Sequence, residues 1–260
     1  MSIGGKVLGA AEHLFQTYVT ALPRIVYRSS LSLFVDPRGS QKFLHQVLSA
    51  QDLEADDHFL GSAWITDLLP GEAQPKISGS YHIYQSGATG ILLELVALAY
   101  LMQVLRPRII FEIGTFVGRT TRQLALNSPP DTQIFTLDLP RDQVAHDIGR
   151  EFRGTPEAKK ITQLHGDTRT FDYSPWHGRC DFVWVDACHD YPLVRQDTKA
   201  SLRLRSDRGW IAWHDYRHTA WWSGVTRAVR ELAQTNPKVR HIRDTTMAVL
   251  PSAGWGSFED

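Results

Sequence analysis

FEIGTFVGRTT, Phe111 to Thr121, is the stretch that decides how this chain is read. Arg106-Pro107-Arg108-Ile109-Ile110 precedes it and Arg122-Gln123-Leu124-Ala125-Leu126 follows. The order is a helix stop, a short apolar run, a turn with glycines four apart, and a helical pattern. An unbroken Ile-Ile-Phe predicts a strand of a parallel sheet covered on both faces. Gly114 and Gly118 would let the backbone pass close to a ligand where Cβ atoms would clash. The helix that follows would turn free backbone N–H groups and a positive dipole end towards that ligand. A glycine pair alone fits any βα turn, so the signals on either side carry the argument.

Upstream, Ser86 to Gly90 offers an N-cap to a nearly all-apolar helix, Ile91 to Leu105, stopped by Pro107. Downstream, strands are predicted at Gln133–Leu137, Ile161–Leu164, Cys180–Val185 and Trp210–Trp213, with mixed helix and loop over 142–159. Helices follow the fourth strand, to about Leu204, and the fifth, from about Gly224 to Gln234. Two short strands near Val239–Ile242 and Thr246–Leu250 have no helix between them and read as an antiparallel edge hairpin. Alternating β and α with short loops implies an α/β fold, a doubly wound (Rossmann-like) seven-stranded, mostly parallel sheet.

Residues 1–80 are less regular. Lys6–Ala21 and Leu44–Leu53 have helical spacing, Leu31–Val35 suits a short extended piece, and Pro23, Pro37 and Pro70-Gly71 punctuate them. They read as a helical extension or cap that packs on a flank, acts as a lid, or carries a homodimer contact. Residues 81–260 form the main domain. Lys plus Arg and Asp plus Glu both number 28, so no bulk charge argues for nucleic acid. The first residues include Glu12 and His13 where a signal peptide needs an apolar run. Ile91–Leu105 is interrupted by Glu94 and Gln103 and is too short to span a bilayer. Cys180 and Cys188 stand at the two ends of one strand, roughly 26 Å apart at the rise of a strand, beyond disulfide reach. Reduced thiols make a cytoplasmic setting the default.

Glu112, Asp138, Asp167, Asp186 and Asp215 each stand at or just beyond a strand's C-terminal end, the edge at which open α/β sheets bind ligands. Each alone could be a helix N-cap; five in five strands point to a site. Asp138 follows Gly114 by 24 positions, near the spacing at which an acid takes ribose hydroxyls. The glycines read G-x-x-x-G and not G-x-G-x-x-G, which disfavours a dinucleotide and favours a nucleoside without phosphates, such as S-adenosylmethionine.

The run from about Ser86 to Leu250 resembles the class I S-adenosylmethionine-dependent methyltransferases, and more narrowly their macrocin-type and catechol-type O-methyltransferase branch. The resemblance rests on EIGTFVGRT (112–120), TLD (136–138), GDT (166–168), FVWVDACHDY (182–191) and GWIAWHDY (209–216). It implies that Glu112, Gly114 and Thr120 hold the methionine portion of the cofactor, with Phe116 and Gly118 in the same loop. Asp138 would hold the ribose, and Asp167 with Thr168 would border the adenine. Asp186 would bind the cofactor and take part in catalysis.

Metal-dependent members of the branch hold a divalent ion with acids after the fourth and fifth strands. Asp186, His214 and Asp215 stand at those places, but His214 replaces a carboxylate, and imidazole suits Zn²⁺, Mn²⁺ or Fe²⁺ better than Mg²⁺. The site holds another ion or none; the alternative is that His214 and His189 bond loop backbone and hold the mouth together. His189 is a candidate general base beside Asp186. Trp210 and Trp213 fit core packing, whereas Trp221 and Trp222 could wall an acceptor pocket. The leading expectation is O-methylation of a small hydroxylated acceptor, a sugar, secondary metabolite or phenolic. The alternatives are other chemistry on the same fold, of the cephamycin-hydroxylase kind, and a non-catalytic S-adenosylmethionine-binding protein.

Overall fold

A computed structural model describes residues 57, 59–77, 88–217 and 223–252. The helices expected within 6–53, the cap at Ser86 and the pair Trp221-Trp222 lie outside the described residues. The chain divides into two units, Met1–Ala50 and Gln51–Asp260, and everything below concerns the second.

The strands are β1 (Ser62–Ala63), β2 (Ile109–Ile113), β3 (Gln133–Asp138), β4 (Ile161–His165), β5 (Cys180–Val185), β6 (Arg205–Trp213), β7 (Arg240–Ile242) and β8 (Ala248–Leu250). The helices are α1 (Ile65–Leu68), α2 (Ala88–Leu105), α3 (Arg119–Asn127), α4 (Tyr191–Leu204) and α5 (Ser223–Ala233). Among the described residues the sheet has eight strands in the order β1-β7-β8-β6-β5-β2-β3-β4, one more than the seven expected. The additional strand, β1, comes from the stretch assigned to the extension and pairs in parallel with β7. β8 is antiparallel to both β6 and β7, so the expected hairpin lies one strand in from the edge.

The central strands are apolar throughout because both faces are covered. Phe111, Ile113, Val183, Val185, Ile211 and Trp213 pack on one face with Val194 of α4 and Val225 and Val229 of α5. Ile110, Phe182, Trp184, Trp210 and Ala212 pack on the other with Leu98 and Leu101 of α2 and Leu124 of α3. Trp210 and Trp213 are fully buried, as expected, and the Trp213 indole donates to Thr198 Oγ1 at 3.0 Å. No helix among the described residues is long and apolar enough to cross a membrane.

The chain crosses over from β4 to β5, which returns beside β2, so the strand order reverses between β2 and β5. That is the switch point at which ligands bind such sheets.

Candidate active site

Backbone bonds carry the parallel ladder past the strand ends and line up four loops. Gly114 N donates to Leu137 O, Gly166 N to Asp138 O, Asp186 N to Ile113 O and His214 N to Val185 O, at 2.8–3.1 Å. Glu112 lies across from Trp184, and Trp184 from Ala212, in the strand register. Side chains alternate along a strand, so Glu112, Asp186 and His214 fall on the face covered by α2 and α3.

Glu112 is fully buried. Its Oε2 accepts from Thr121 Oγ1 and Thr136 Oγ1, both at 2.5 Å, while its Oε1 is buried without a hydrogen-bond partner. Burial pushes the carboxyl up to about 8, against the two hydroxyl bonds and with help from the Asp186 and Asp138 charges. The hydroxyl that reaches Glu112 from α3 is that of Thr121; Thr120, the expected ligand of that turn, is partly buried one residue earlier.

The protein itself requires both glycines. A Cβ on Gly114 (φ 104°) would stand 2.2 Å from the Asp186 carbonyl oxygen. One on Gly118 (φ 81°) would stand 2.5 Å from the Phe152 ring. The G-x-x-x-G spacing therefore closes the turn against β5's exit and against the loop at 149–152. Phe116 (φ 49°) is 60% exposed, with its ring centroid 4.6 Å from that of His146.

Asp138 ends β3, and each of its oxygens takes one backbone N–H: Oδ2 from Phe116 at 2.6 Å, Oδ1 from Leu139 at 2.8 Å. A carboxylate offers about four lone-pair sites, so acceptor capacity for two hydroxyls remains. His146 Nε2 is 3.6 Å from Oδ2. His146 is a site-edge residue that the sequence reading missed, and its irregular loop carries no pattern that would have found it.

Asp167 is engaged by Arg169, through its guanidinium and backbone N–H, which holds its carboxyl down at about 2. Thr168 lies near Asp197 of α4, an acid 1% exposed that burial pushes up to about 6.

The densest cluster lies beyond β5 and β6. His189 Nε2 is 2.9 Å from Asp215 Oδ2. His214 Nδ1 is 3.2 Å from both Asp186 Oδ1 and Asp215 Oδ2, and its Nε2 is 2.9 Å from Glu94 Oε2. Glu94, on α2, is buried, and its Oε1 takes Thr246 N at 2.7 Å and the Thr246 hydroxyl. Both histidines thus face carboxylates. Burial disfavours an imidazolium, but Asp186, Asp215 and Glu94 outweigh it and raise His214 well above its ordinary value. Burial likewise opposes the Asp215 charge, and His214 with His189 overcome it to hold that acid far below its ordinary range. Asp215 adopts φ 57° to present its carboxylate there.

The expected metal ligands Asp186, His214 and Asp215 come together, and His189 forms a further compact donor set with the two acids. One donor atom of each of Asp186, His189 and Asp215 lies within 4.8 Å of the others. Glu94 is the second site residue missed. A lone acid inside an apolar helix was its signal, since a buried carboxylate needs a partner. Cys180 is a buried free thiol pushed up to about 12 by burial, and Cys188 is also free; nothing here makes either a nucleophile.

A separate open cleft of about 1080 Å³, lined by Gly71, Tyr100, Gln103, Asn127, Pro156 and Lys160 among others, contains none of these residues.

A family model described as a methyltransferase domain matches residues 111–216. No curated protein sequence matches the chain. A Staphylococcus aureus protein assigned as a caffeoyl-CoA O-methyltransferase superposes with a TM-score of 0.50 at 15% identity, over 62% of this chain and 83% of that one. The O-methyltransferase TomG of Streptomyces achromogenes, involved in tomaymycin synthesis and solved with SAM, gives 0.48 at 20% identity over 80% and 96%. An O-methyltransferase from Bacillus cereus, solved with SAH, gives 0.49 at 18% over 86% and 96%. At 15% identity, the likeness to the Staphylococcus protein is one of fold.

Proposed function

We propose that this chain, which carries a methyltransferase domain over residues 111–216, moves a methyl group from S-adenosylmethionine to an oxygen of a small hydroxylated acceptor. The observation that carries the reading is the unbonded, buried Oε1 of Glu112 at the switch point. A buried acceptor left unsatisfied is costly, and a cationic ligand group would satisfy it. The sulfonium cofactor, with its ammonium group, is such a ligand, and the spare acceptor capacity of Asp138 suits its ribose hydroxyls.

When bound, the cofactor supplies a methyl group activated on a sulfonium. The chain's part is then binding and proton handling. Glu112 takes the cationic end, and Asp138 takes the ribose with Phe116 and His146 beside it. Thr168 borders the base; Asp167 contributes through the loop that Arg169 braces. Gly114, Gly118 and Thr120 shape the turn. His189 Nε2 stands 2.9 Å from Asp215 Oδ2, and His189 is the group we assign to take the acceptor's proton. Asp186 lies beside it. In-line transfer gains chiefly from positioning.

Calorimetry tests the reading directly. S-adenosylmethionine and its demethylated product should bind in the micromolar range, about −8 kcal/mol. Binding of NAD with no heat from either of them would defeat it. Screening hydroxylated small molecules with labelled methyl donor then identifies the acceptor.

A further inference from the structure

Beyond β6 the chain makes a turn that its residues do not favour by themselves. Asp215 has φ 57° and Arg217 has φ 66°. Side chains with a Cβ populate that left-handed region sparsely, and it persists where the surroundings impose it. Tyr216, between the two, is fully buried. Its N–H donates to Thr246 O at 2.8 Å, and Arg217 N donates to Thr226 Oγ1 at 2.9 Å.

The Tyr216 hydroxyl completes the anchorage. It donates to Asp57 Oδ2 at 2.5 Å and accepts from Arg230 Nε of α5 at 3.3 Å. Asp57 comes from the segment ahead of β1, 159 positions away in sequence, and is itself buried and fixed. Its Oδ1 takes Phe59 N at 2.9 Å, and its own N–H donates to Ser62 Oγ at 2.9 Å. An apolar ring is held by packing, which has no direction. A hydrogen bond to a carboxylate fixes direction and is about twice as strong as a neutral one.

We propose that Asp57 and Tyr216 are positioning residues for His189: their bond holds Asp215 in its left-handed conformation, which keeps the Asp215 carboxylate against the His189 imidazole. Asp215 Oδ2 meets His189 Nε2 at 2.9 Å. The backbone conformation of Asp215 aims its side chain, so relaxing the turn redirects the carboxylate and takes that partner from the imidazole. The effect on turnover rests on the methyl-transfer reading; the effect on His189 does not.

The test therefore reads His189 directly, in the full chain with neither methyl donor nor acceptor present. In protein carrying ¹⁵N in its imidazole rings, the His189 resonances are those lost in His189→Ala. Tyr216→Phe removes one hydroxyl and keeps the ring. It should shift the His189 resonances and leave those of His146 and His177 in place. In the methyl-transfer assay its kcat should fall about 10- to 100-fold, as for a small misplacement of a catalytic group, with S-adenosylmethionine affinity retained. Added to His189→Ala, the same substitution should change turnover by less than about twofold, because the two residues act as a unit. Unshifted His189 resonances in folded Tyr216→Phe overturn the proposal, and so does a full Tyr216→Phe loss on top of His189→Ala. If Tyr216→Phe does not fold, Asp57→Asn is read in the same two ways. A native chain that binds no S-adenosylmethionine ends the methyl-transfer reading and leaves the resonances to decide this one.

Discussion

Glu112→Gln should make the protein more stable and its cofactor binding weaker. The carboxyl is fully buried and burial lifts it from its ordinary 4.5 to about 8. Below pH 4.5 the acid is neutral whether the chain is folded or not, and it costs nothing. Between 4.5 and 8 the unfolded chain releases the proton while the folded chain keeps it, so stability falls as pH rises. At about 1.4 kcal/mol per tenfold, the loss at pH 7 is on the order of 3 kcal/mol, and it grows a little further towards pH 8. Gln keeps an acceptor for Thr121 and Thr136 and does not titrate. Urea unfolding of both proteins from pH 5 to pH 8 should show the variant gaining roughly 3–4 kcal/mol on the native chain across that range. Calorimetry should show the opposite sign for S-adenosylmethionine, a loss of roughly 1.5–3 kcal/mol for a bond to a charged group. Parallel stability curves for the two proteins would refute the reasoning, because they would mean that Glu112 titrates in the fold as it does in the unfolded chain.

Asp138→Ala removes the acceptor for Phe116 N and Leu139 N as well as for the ribose, and should weaken cofactor affinity by roughly 1.5–3 kcal/mol in the same calorimetric assay. Gly114→Ala should cost more than about 3 kcal/mol in denaturant unfolding, since its Cβ would stand 2.2 Å from a backbone carbonyl at φ 104°. His189→Ala should cut turnover by about 10² to 10⁴ while cofactor affinity is retained; turnover at the native rate would remove the base from the mechanism. Asp181 lies at the opposite end of β5, 4% exposed, where it gathers Arg108 N, Ser206 and Arg208. Burial opposes its charge, but the Arg208, Arg108 and Ser206 bonds hold the carboxyl below its ordinary value. Its contribution is therefore present above pH 3.8 and lost as pH falls through the lowered value. Asp181→Asn should flatten the acid limb of the stability curve, read by circular dichroism.

Much of the site was legible because it is written in local patterns. Residues 109–113, 133–138, 180–185 and the end of β6 announce themselves as buried strands, and the acids just past them mark the binding edge. Parallel order follows from the crossovers, so Glu112, Asp138, Asp186 and Asp215 could be placed on one edge without coordinates. The two-residue strand β1 was not legible, since two residues carry no periodicity and Ser62–Ala63 pairs only because β7 lies beside it.

By itself the sequence determined the sheet, its binding edge and the acids along it, since strand and turn signals are short-range and the period of side chains fixes the face. Only the tertiary structure decided which groups meet. It gave Glu112 the hydroxyl of Thr121 and not that of Thr120, and it turned Gly114 against the Asp186 carbonyl. It also brought Glu94 to His214, 120 residues further along the chain. Such meetings depend on how helices lie across the sheet, and that is set by the packing of Leu98, Leu101 and Trp184 in the shared core. No spacing along the chain encodes it.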